Sequence, residues 1–458
     1  MNDELRAKIL GALSAVRDPD LGRDIVSLGF VKNLAECDGV VKFEIELTTP
    51  ACPVKDELQQ QAIDVVKKLP GITEVYATMT AAVRGARVTT IDSLKSVKNV
   101  IAIASGKGGV GKSTVATNLA LALHRLGASV GLMDGDIYGP SIPAMLGVRG
   151  QPAMGPDKRL IPREAHGIKF ISLGLLVSED APVIWRGPMA SKMIQQLLGG
   201  VAWGDLDYLL IDLPPGTGDI QLTLTQSAPL AGAVIVTTPQ DIAMNIAKKG
   251  LKMFTEVNVP VLGIIENMSF FACPDCGHKH HIFRAGGGAR MAKELGLPLL
   301  GEIPIDPRLC EGGDEGVPMV ARHPDSEAAR AFLTAAQNVA AQLSIANVEG
   351  ERAVAAPVKM DQKENLRITW DDGHTSEHTF WKLRVACPCA LCRDEWSGQI
   401  RIRADDIPRD VHPKSIAPVG RYALNFSWSD GHNTGIYSYA RLREACECPD
   451  CAKQVVTV

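Results

Sequence analysis

The sequence predicts an α/β protein. Its central part is built on a mostly parallel sheet, preceded by a small α/β domain and followed by a small β-rich domain. Three observations carry this reading. From about residue 93 to 346, near-continuous apolar runs alternate with helical stretches, as buried parallel strands covered on both faces do. A glycine-rich loop, "GKGGVGKST", stands between one such run and an amphipathic stretch. After residue 362 the composition changes, and four of the six tryptophans and six of the eleven cysteines fall there.

In chain order, residues 1–92 form the first domain. A helix from about Glu4 carries Leu5, Ile9, Leu13 and Val16 on one side. "VVKFEIELTT" alternates, so Val41, Phe43, Ile45 and Leu47 share one strand face. A helix from about Val54 to Leu69 stops before Pro70-Gly71, and "TEVYATMTA" resumes a strand. In residues 93–346 the strand candidates are "NVIAIAS", "SVGLMDGD", "YLLIDLPPG", "GAVIVTTP", "VPVLGIIENM" and "LPLLGEIP". Residues 347–362, polar and alanine-rich with one proline, read as a linker. Residues 363–458 read as short strands and turns.

Composition narrows the function classes. A net charge of -4 with no basic run disfavours a nucleic-acid partner. The N-terminus lacks a basic-then-apolar leader, and no apolar run suffices for a bilayer span, so a cytoplasmic protein without a membrane partner is expected. Eleven cysteines, clustered as Cys-x-x-Cys and Cys-x-Cys, point to metal rather than a disulfide scaffold.

The stretch Gly106–Thr114 satisfies G-x-x-x-x-G-K-[ST] in the strand-loop-helix context the motif requires. Backbone N–H groups of Gly106, Gly108, Gly109, Val110, Gly111, Lys112, Ser113 and Thr114 are placed to wrap phosphate oxygens at a helix N-terminus. Lys112 is expected at the β- and γ-phosphates of ATP and Ser113 on Mg²⁺. Asp134, Asp136 and Asp212 each end an apolar run, where such sheets bind ligands, and Gly216 is placed to sense the γ-phosphate.

With Lys107 as a second lysine in the loop, this region resembles the deviant Walker A ATPases, among them the MinD/ParA, ArsA and nitrogenase iron-protein families. The resemblance implies a homodimer closed by ATP, with Lys107 reaching the partner's phosphates as a lysine counterpart of an arginine finger. It implies that Asp136 positions the attacking water, Asp212 holds Mg²⁺ through water, and Asn267 contacts adenine.

"GKGGVGKST", "MDGDIYGPS", "WRGPM", "YLLIDLPPGTGD", "TTPQD" and "ENMSFFACPDCGHKHHIFRAGGG" together resemble the Mrp/ApbC iron–sulfur carrier ATPases. That resemblance implies that Cys273 and Cys276 of each protomer bind one [4Fe–4S] cluster at the dimer interface. Cluster scaffolds and apo iron–sulfur proteins would then be partners. The residues alone leave two other readings open, a Cys₂His₂ zinc knuckle using His278, His280 or His281, and a disulfide.

"VRDPDLGRDIVSLGFVKNL" and "LTTPACPVKDEL" resemble the SufT-type iron–sulfur-assembly domain, with Cys52 at a strand-to-helix junction. Its thiol is either an activated group near a helix start or a small buried hydrophobe. The last domain repeats itself, since "WDDGHTSEHTFWKLRVACPCALC" aligns with "WSDGHNTGIYSYARLREACECPDC". It resembles the N-terminal domain of γ-butyrobetaine hydroxylase, which implies one structural Zn²⁺ on Cys387, Cys389, Cys392 and His432. Repeat symmetry raises a mirror set of Cys446, Cys448, Cys451 and His374. The leading function is an ATP-dependent iron–sulfur cluster carrier, an ATPase. Its competitors are a MinD/ParA-like switch, an ATP-gated reductase, and a zinc or nickel metallochaperone.

Overall fold

The structure, a computed structural model, describes residues 3–451 except 20, 84, 86–90, 138, 177–186, 217–220, 222, 223, 226, 241–249, 256, 258, 274, 275, 353–358, 362–364, 371, 372, 390, 391, 394–401, 420–422, 447, 449 and 450. The first two residues of WRGPM, GTGD beyond Gly216 and the aspartate of TTPQD therefore lie outside the described residues. The chain forms two compact units, Met1–Asn347 and Val348–Val458. Among the described residues no helix is long and apolar enough to cross a membrane.

The first unit begins with α1 (Asp3–Leu13), β1 (Val31–Cys37), β2 (Val40–Leu47), α2 (Lys55–Lys67) and β3 (Glu74–Ala81). β2 lies between antiparallel β1 and parallel β3. Its alternation buries Val41, Phe43, Ile45 and Leu47 against Ile9, Leu13, Leu58, Ala62 and Val66 of the two helices. Val16 joins the same core from beyond the end of α1, so the helix is shorter than the apolar periodicity suggests.

This small layer packs onto the main-sheet part of the same unit. Ala51 and Val83 sit in one apolar cluster with Val115 and Leu119, and Thr49 Oγ1 lies 3.0 Å from the Tyr208 hydroxyl in the interior.

The main sheet uses β4 (Val97–Ser105), β5 (Val130–Asp134), β6 (Arg163–Ala165), β7 (Ile168–Ser172), β8 (Leu206–Asp212), β9 (Leu230–Thr237), β10 (Val261–Glu266) and, after a two-stranded hairpin, a last strand Leu299–Glu302. Their order is Leu299–Glu302, β10, β9, β4, β8, β5, β7, β6. All neighbours are parallel except β6 with β7. β4 is almost wholly buried and stands between β9 and β8, which is why its run reads as continuously apolar. The sequence reading missed β6 and β7. In "IKFIS" a lysine interrupts a short apolar run that lies next to the sheet edge.

After β4 the chain enters α3 (Lys112–Arg125), whose Val115, Leu119 and Leu123 are buried. Beyond β10 come the hairpin strands β11 (Phe271–Ala272) and β12 (Lys279–His280), then α4 (Gly287–Leu295). The closing helix, α5 (Glu327–Arg352), runs into the 347–362 stretch that the composition marks as a linker.

In the second unit, the first copy of the repeat builds a three-stranded antiparallel sheet from Lys359–Asp361, Leu366–Thr369 and Thr375–His378, then a helix Phe380–Val385. The second copy builds the same from Pro413–Val419, Ala423–Trp428 and Gly435–Ser438, then Tyr439–Glu444. Ile368, Trp370, Leu383, Phe426, Trp428, Tyr437 and Leu442 form one shared core. The described residues of the two Trp-x-Asp-Gly-His segments make matching backbone bonds. Trp370 N–H donates to the His374 carbonyl at 2.9 Å, and Trp428 N–H to the His432 carbonyl at 2.8 Å. Gly373 and Gly431 hold φ of +82° and +86°, a left-handed turn that favours glycine.

Candidate functional site

Sheet register decides where the acidic groups stand. Asp212 at the end of β8 pairs across the ladder with Asp134 of β5 on one side and Ile103 of β4 on the other. Both carboxylates therefore reach the carboxyl edge beside the loop between β4 and α3. In that loop Gly109 and Gly111 hold φ of +79° and +78°. At Gly111 an added side chain would also strike the Asn267 amide, so glycine is required twice over.

Lys112 Nζ lies 2.5 Å from Asp212 Oδ1, and Ser113 Oγ donates to Asp212 Oδ2 at 2.6 Å. Lys112 and Asp212 are both buried. Asp134 accepts the Asp136 N–H at 3.2 Å, the Ile142 N–H at 3.3 Å and the Ser172 hydroxyl at 2.9 Å. Burial first, then the neighbouring Asp212 carboxylate, push the Asp134 carboxyl up to about 7. Burial also raises Asp212, against the pull of Lys112 and Ser113. Among the described residues Lys112 is the ammonium that acts on both groups, in contact with Asp212 and at longer range on Asp134. The Ser113 hydroxyl and Asp212 carboxylate are hard oxygen donors in contact, a pair that suits Mg²⁺.

Asp136 is half-buried just past the strand end, where its Oδ1 accepts the Gly139 N–H at 3.2 Å. The Lys107 side chain is exposed, while its carbonyl accepts the Ser105 hydroxyl at 3.1 Å. Gly216 has φ of +98°, and its N–H donates to the Ser105 carbonyl at 3.2 Å. Asn267 Nδ2 donates to the Val110 carbonyl at 2.9 Å, which ties the end of β10 to the phosphate loop.

The cysteine segment starts from that same strand end. β11 and β12 pair as a hairpin, with Phe271 opposite His280 and Ala272 opposite Lys279. Cys273 is half-buried at its neck, and its N–H donates to the His278 carbonyl at 3.0 Å. Cys276 is exposed in the turn, and residues 274 and 275 between them lie outside the described residues. The His278 and His280 rings pack edge to face at 4.9 Å, and His281 Nδ1 is 3.3 Å from the Ser269 carbonyl. Ile282 and Phe283 are exposed just beyond.

The sequence reading missed Glu266, the last residue of β10. Its buried carboxylate accepts the Ser269 hydroxyl at 2.5 Å and the Gly288 N–H in the first turn of α4. One side chain thus clamps both ends of the segment that carries the cysteines. A glutamate closing a five-residue apolar run was the available signal, since an unpaired carboxylate does not survive there.

Cys52 is buried in the first unit's small core and faces a cavity shared with Asp18, Thr49, Ala341 and Ser344. None of the eleven cysteines is in a disulfide.

In the second unit, Cys387, Cys389, Cys392 and His432 come together. His432 Nε2 lies 3.2, 3.4 and 3.7 Å from the three sulfurs in that order. Burial drives the Cys387 thiol up to about 12, so a thiolate there needs a cation beside it. Tetrahedral zinc with Zn–S ~2.3 Å and Zn–N ~2.0 Å sets S···N edges of about 3.5 Å, so the group fits Zn²⁺. Arg384 Nη1 lies 3.5 Å from Cys392 Sγ, and its Nε donates to Asp430 at 2.8 Å.

Three family descriptions match successive parts of the chain. The family described as NUBPL iron-transfer P-loop NTPase matches residues 96–340. The one described as iron-sulfur cluster assembly protein matches 6–78, and gamma-butyrobetaine hydroxylase-like, N-terminal, matches 358–443. The iron-sulfur cluster carrier protein of Escherichia coli K12 is 44% identical over 343 residues, 74% of this chain and 93% of that one. The Fe-S cluster assembly factor HCF101, chloroplastic, of Arabidopsis thaliana is 42% identical over 444 residues, 95% of this chain and 82% of that one. A solved nucleotide-binding protein in complex with ADP from Archaeoglobus fulgidus is 42% identical and covers 50% of this chain and 92% of its own, with a TM-score of 0.45. With its phosphate loop, its acidic strand ends and the match over most of the first unit, the chain belongs to the NUBPL iron-transfer P-loop NTPase family.

Proposed function

We propose that the chain is an ATP-dependent iron–sulfur cluster carrier. As a homodimer it takes a [4Fe–4S] cargo on Cys273 and Cys276 of both protomers and passes it to apo-proteins. The observation that carries this is the covalent and hydrogen-bonded link between the two sites. Asn267 is bonded to the phosphate loop at Val110, and the same short segment runs on to Cys273, with Glu266 holding its base. Four thiolates from two chains complete a cluster's ligand set without any histidine.

In this reading the nucleotide phosphates compete for Lys112, which Asp212 now holds. Mg²⁺ would sit with Ser113 and Asp212 and replace the charge that Lys112 gives Asp212 in its absence. Lys112 then turns to the phosphates, and Asp136 orients water for in-line attack. Lys107, exposed on the loop, reaches the partner's phosphates. Gly216 must exchange the Ser105 carbonyl for a phosphate oxygen, a local turn that its positive φ makes inexpensive. The first metal group of the second unit is assigned a structural Zn²⁺.

The test is cluster transfer from reconstituted protein to an apo-acceptor under anaerobic conditions, with and without ATP. Lys112→Ala should retain the cargo and lose the nucleotide dependence. Transfer that is indifferent to both ATP and Lys112 would remove the ATP-dependent part of the proposal.

A further inference from the structure

We infer that the second unit holds a second mononuclear metal site, formed by His374 of the first repeat with Cys446, Cys448 and Cys451 of the second. It is suited to zinc(II) or another thiolate-preferring divalent cation. The four ligand atoms lie within 4.8 Å of one another. His374 Nε2 is 3.3 Å from Cys446 Sγ, 3.8 Å from Cys448 Sγ and 3.7 Å from Cys451 Sγ. These values bracket the edge of about 3.5 Å expected for one tetrahedral zinc ion. An iron–sulfur cluster puts its ligands on different irons and spreads them wider than a single ion's shell, so the geometry selects one ion.

The site arises from the same local structure as its counterpart. In both copies the Trp-to-His turn is closed by the same backbone bonds, and a short helix delivers the thiols. The ligands are exchanged reciprocally. His432 leaves the second copy to complete the first triad, and His374 leaves the first copy to complete the second. Each ion would therefore staple one repeat to the other. Binding converts three thiols to thiolates and releases three protons while the imidazole stays neutral.

The two sites differ in shielding. Cys387 and Cys392 are buried, and Arg384, paired with Asp430, donates to Cys392 and offsets the surplus negative charge of three thiolates. In the second set Cys448 is buried and Cys446, Cys451 and His374 are half-exposed, one buried thiol against the first set's two. Arg443 stands in the second copy where Arg384 stands in the first. With one buried thiol fewer, the second ion is the more open to a competing chelator, and its release should be the faster of the two.

The test uses the full chain carrying Cys273→Ser and Cys276→Ser, so that the hairpin thiols do not contribute to the count. Titration with Co²⁺ alone, read by thiolate-to-cobalt charge transfer, should saturate at two equivalents. Adding Cys446→Ser with His374→Ala should leave one, and adding Cys387→Ser instead should also leave one. Zinc release to a colorimetric chelator should show two phases of equal amplitude, the faster one missing in the Cys446→Ser variant. Saturation at one equivalent, unchanged by the Cys446 and His374 substitutions, overturns the proposal. Should those variants fail to fold, a single-phase release of one zinc from the chain with its triads intact overturns it equally.

Discussion

Asp134 offers a pH prediction that the geometry specifies closely. Its carboxyl is fully buried beside Asp212 and is pushed up to about 7 from an ordinary 3.8. A carboxyl raised on folding stabilises the folded state below its unfolded value and loses that contribution as pH rises through the folded one. The window therefore runs from about pH 4 to about pH 7. A shift of this size corresponds to at most about 4 kcal/mol across the window. Asp134→Asn removes the titration and costs a roughly constant 1–3 kcal/mol, because an amide nitrogen in place of Oδ2 leaves the Ile142 N–H without its acceptor.

The assay is thermal unfolding of the nucleotide-free chain from pH 4 to pH 8, comparing the two proteins at each pH. Carboxylates distant from Asp134 act alike in both and cancel in the difference. The stability advantage of the unsubstituted protein should shrink as pH rises, by roughly 5–10 °C in the first unit's transition. A difference that stays flat with pH, or that grows, refutes the assignment of a buried, proton-holding Asp134.

Glu266→Ala leaves the Gly288 N–H without its acceptor and the Ser269 hydroxyl with only the longer contact to Glu302, so a loss of about 1–3 kcal/mol is expected, with faster proteolysis between residues 269 and 286. Gly111→Ala forces a left-handed φ on alanine and drives its methyl into the Asn267 amide, so nucleotide affinity should fall while the second unit's melting is unchanged. Lys107→Ala should change stability by less than about 0.5 kcal/mol, since the side chain is exposed, yet lower ATP turnover on the order of 10³-fold if it acts in trans. Arg384→Ala should weaken metal retention at Cys392 by about 10- to 100-fold, read as chelator competition.

Much of the nucleotide site was legible because its parts are contiguous or end apolar runs. The loop 106–114 is one uninterrupted motif, and Asp134 and Asp212 mark where buried strands end at the sheet's carboxyl edge. Partnerships across long separations were not legible. Nothing local to Lys112 or Ser113 says that both bond the same carboxylate a hundred residues on, or that Ser172 from an unrecognised strand would hold Asp134.

Glu266 escaped notice for the opposite reason. It sits inside a quoted stretch, but its importance lies in donors supplied by a turn and a later helix. The second unit was readable through its repeat. Aligning the copies grouped His374 with the second cysteine triad, and the folded chain brings those four side chains together.

The central claim is that two chains share one cluster through Cys273 and Cys276, and the most direct measurement is iron and sulfide content together with solution mass after anaerobic reconstitution. The account predicts about four irons and four sulfides per two chains, a mass of two chains, and loss of both cluster and pairing in Cys273→Ser. A full cluster on each single chain, or one that survives Cys273→Ser, would contradict it.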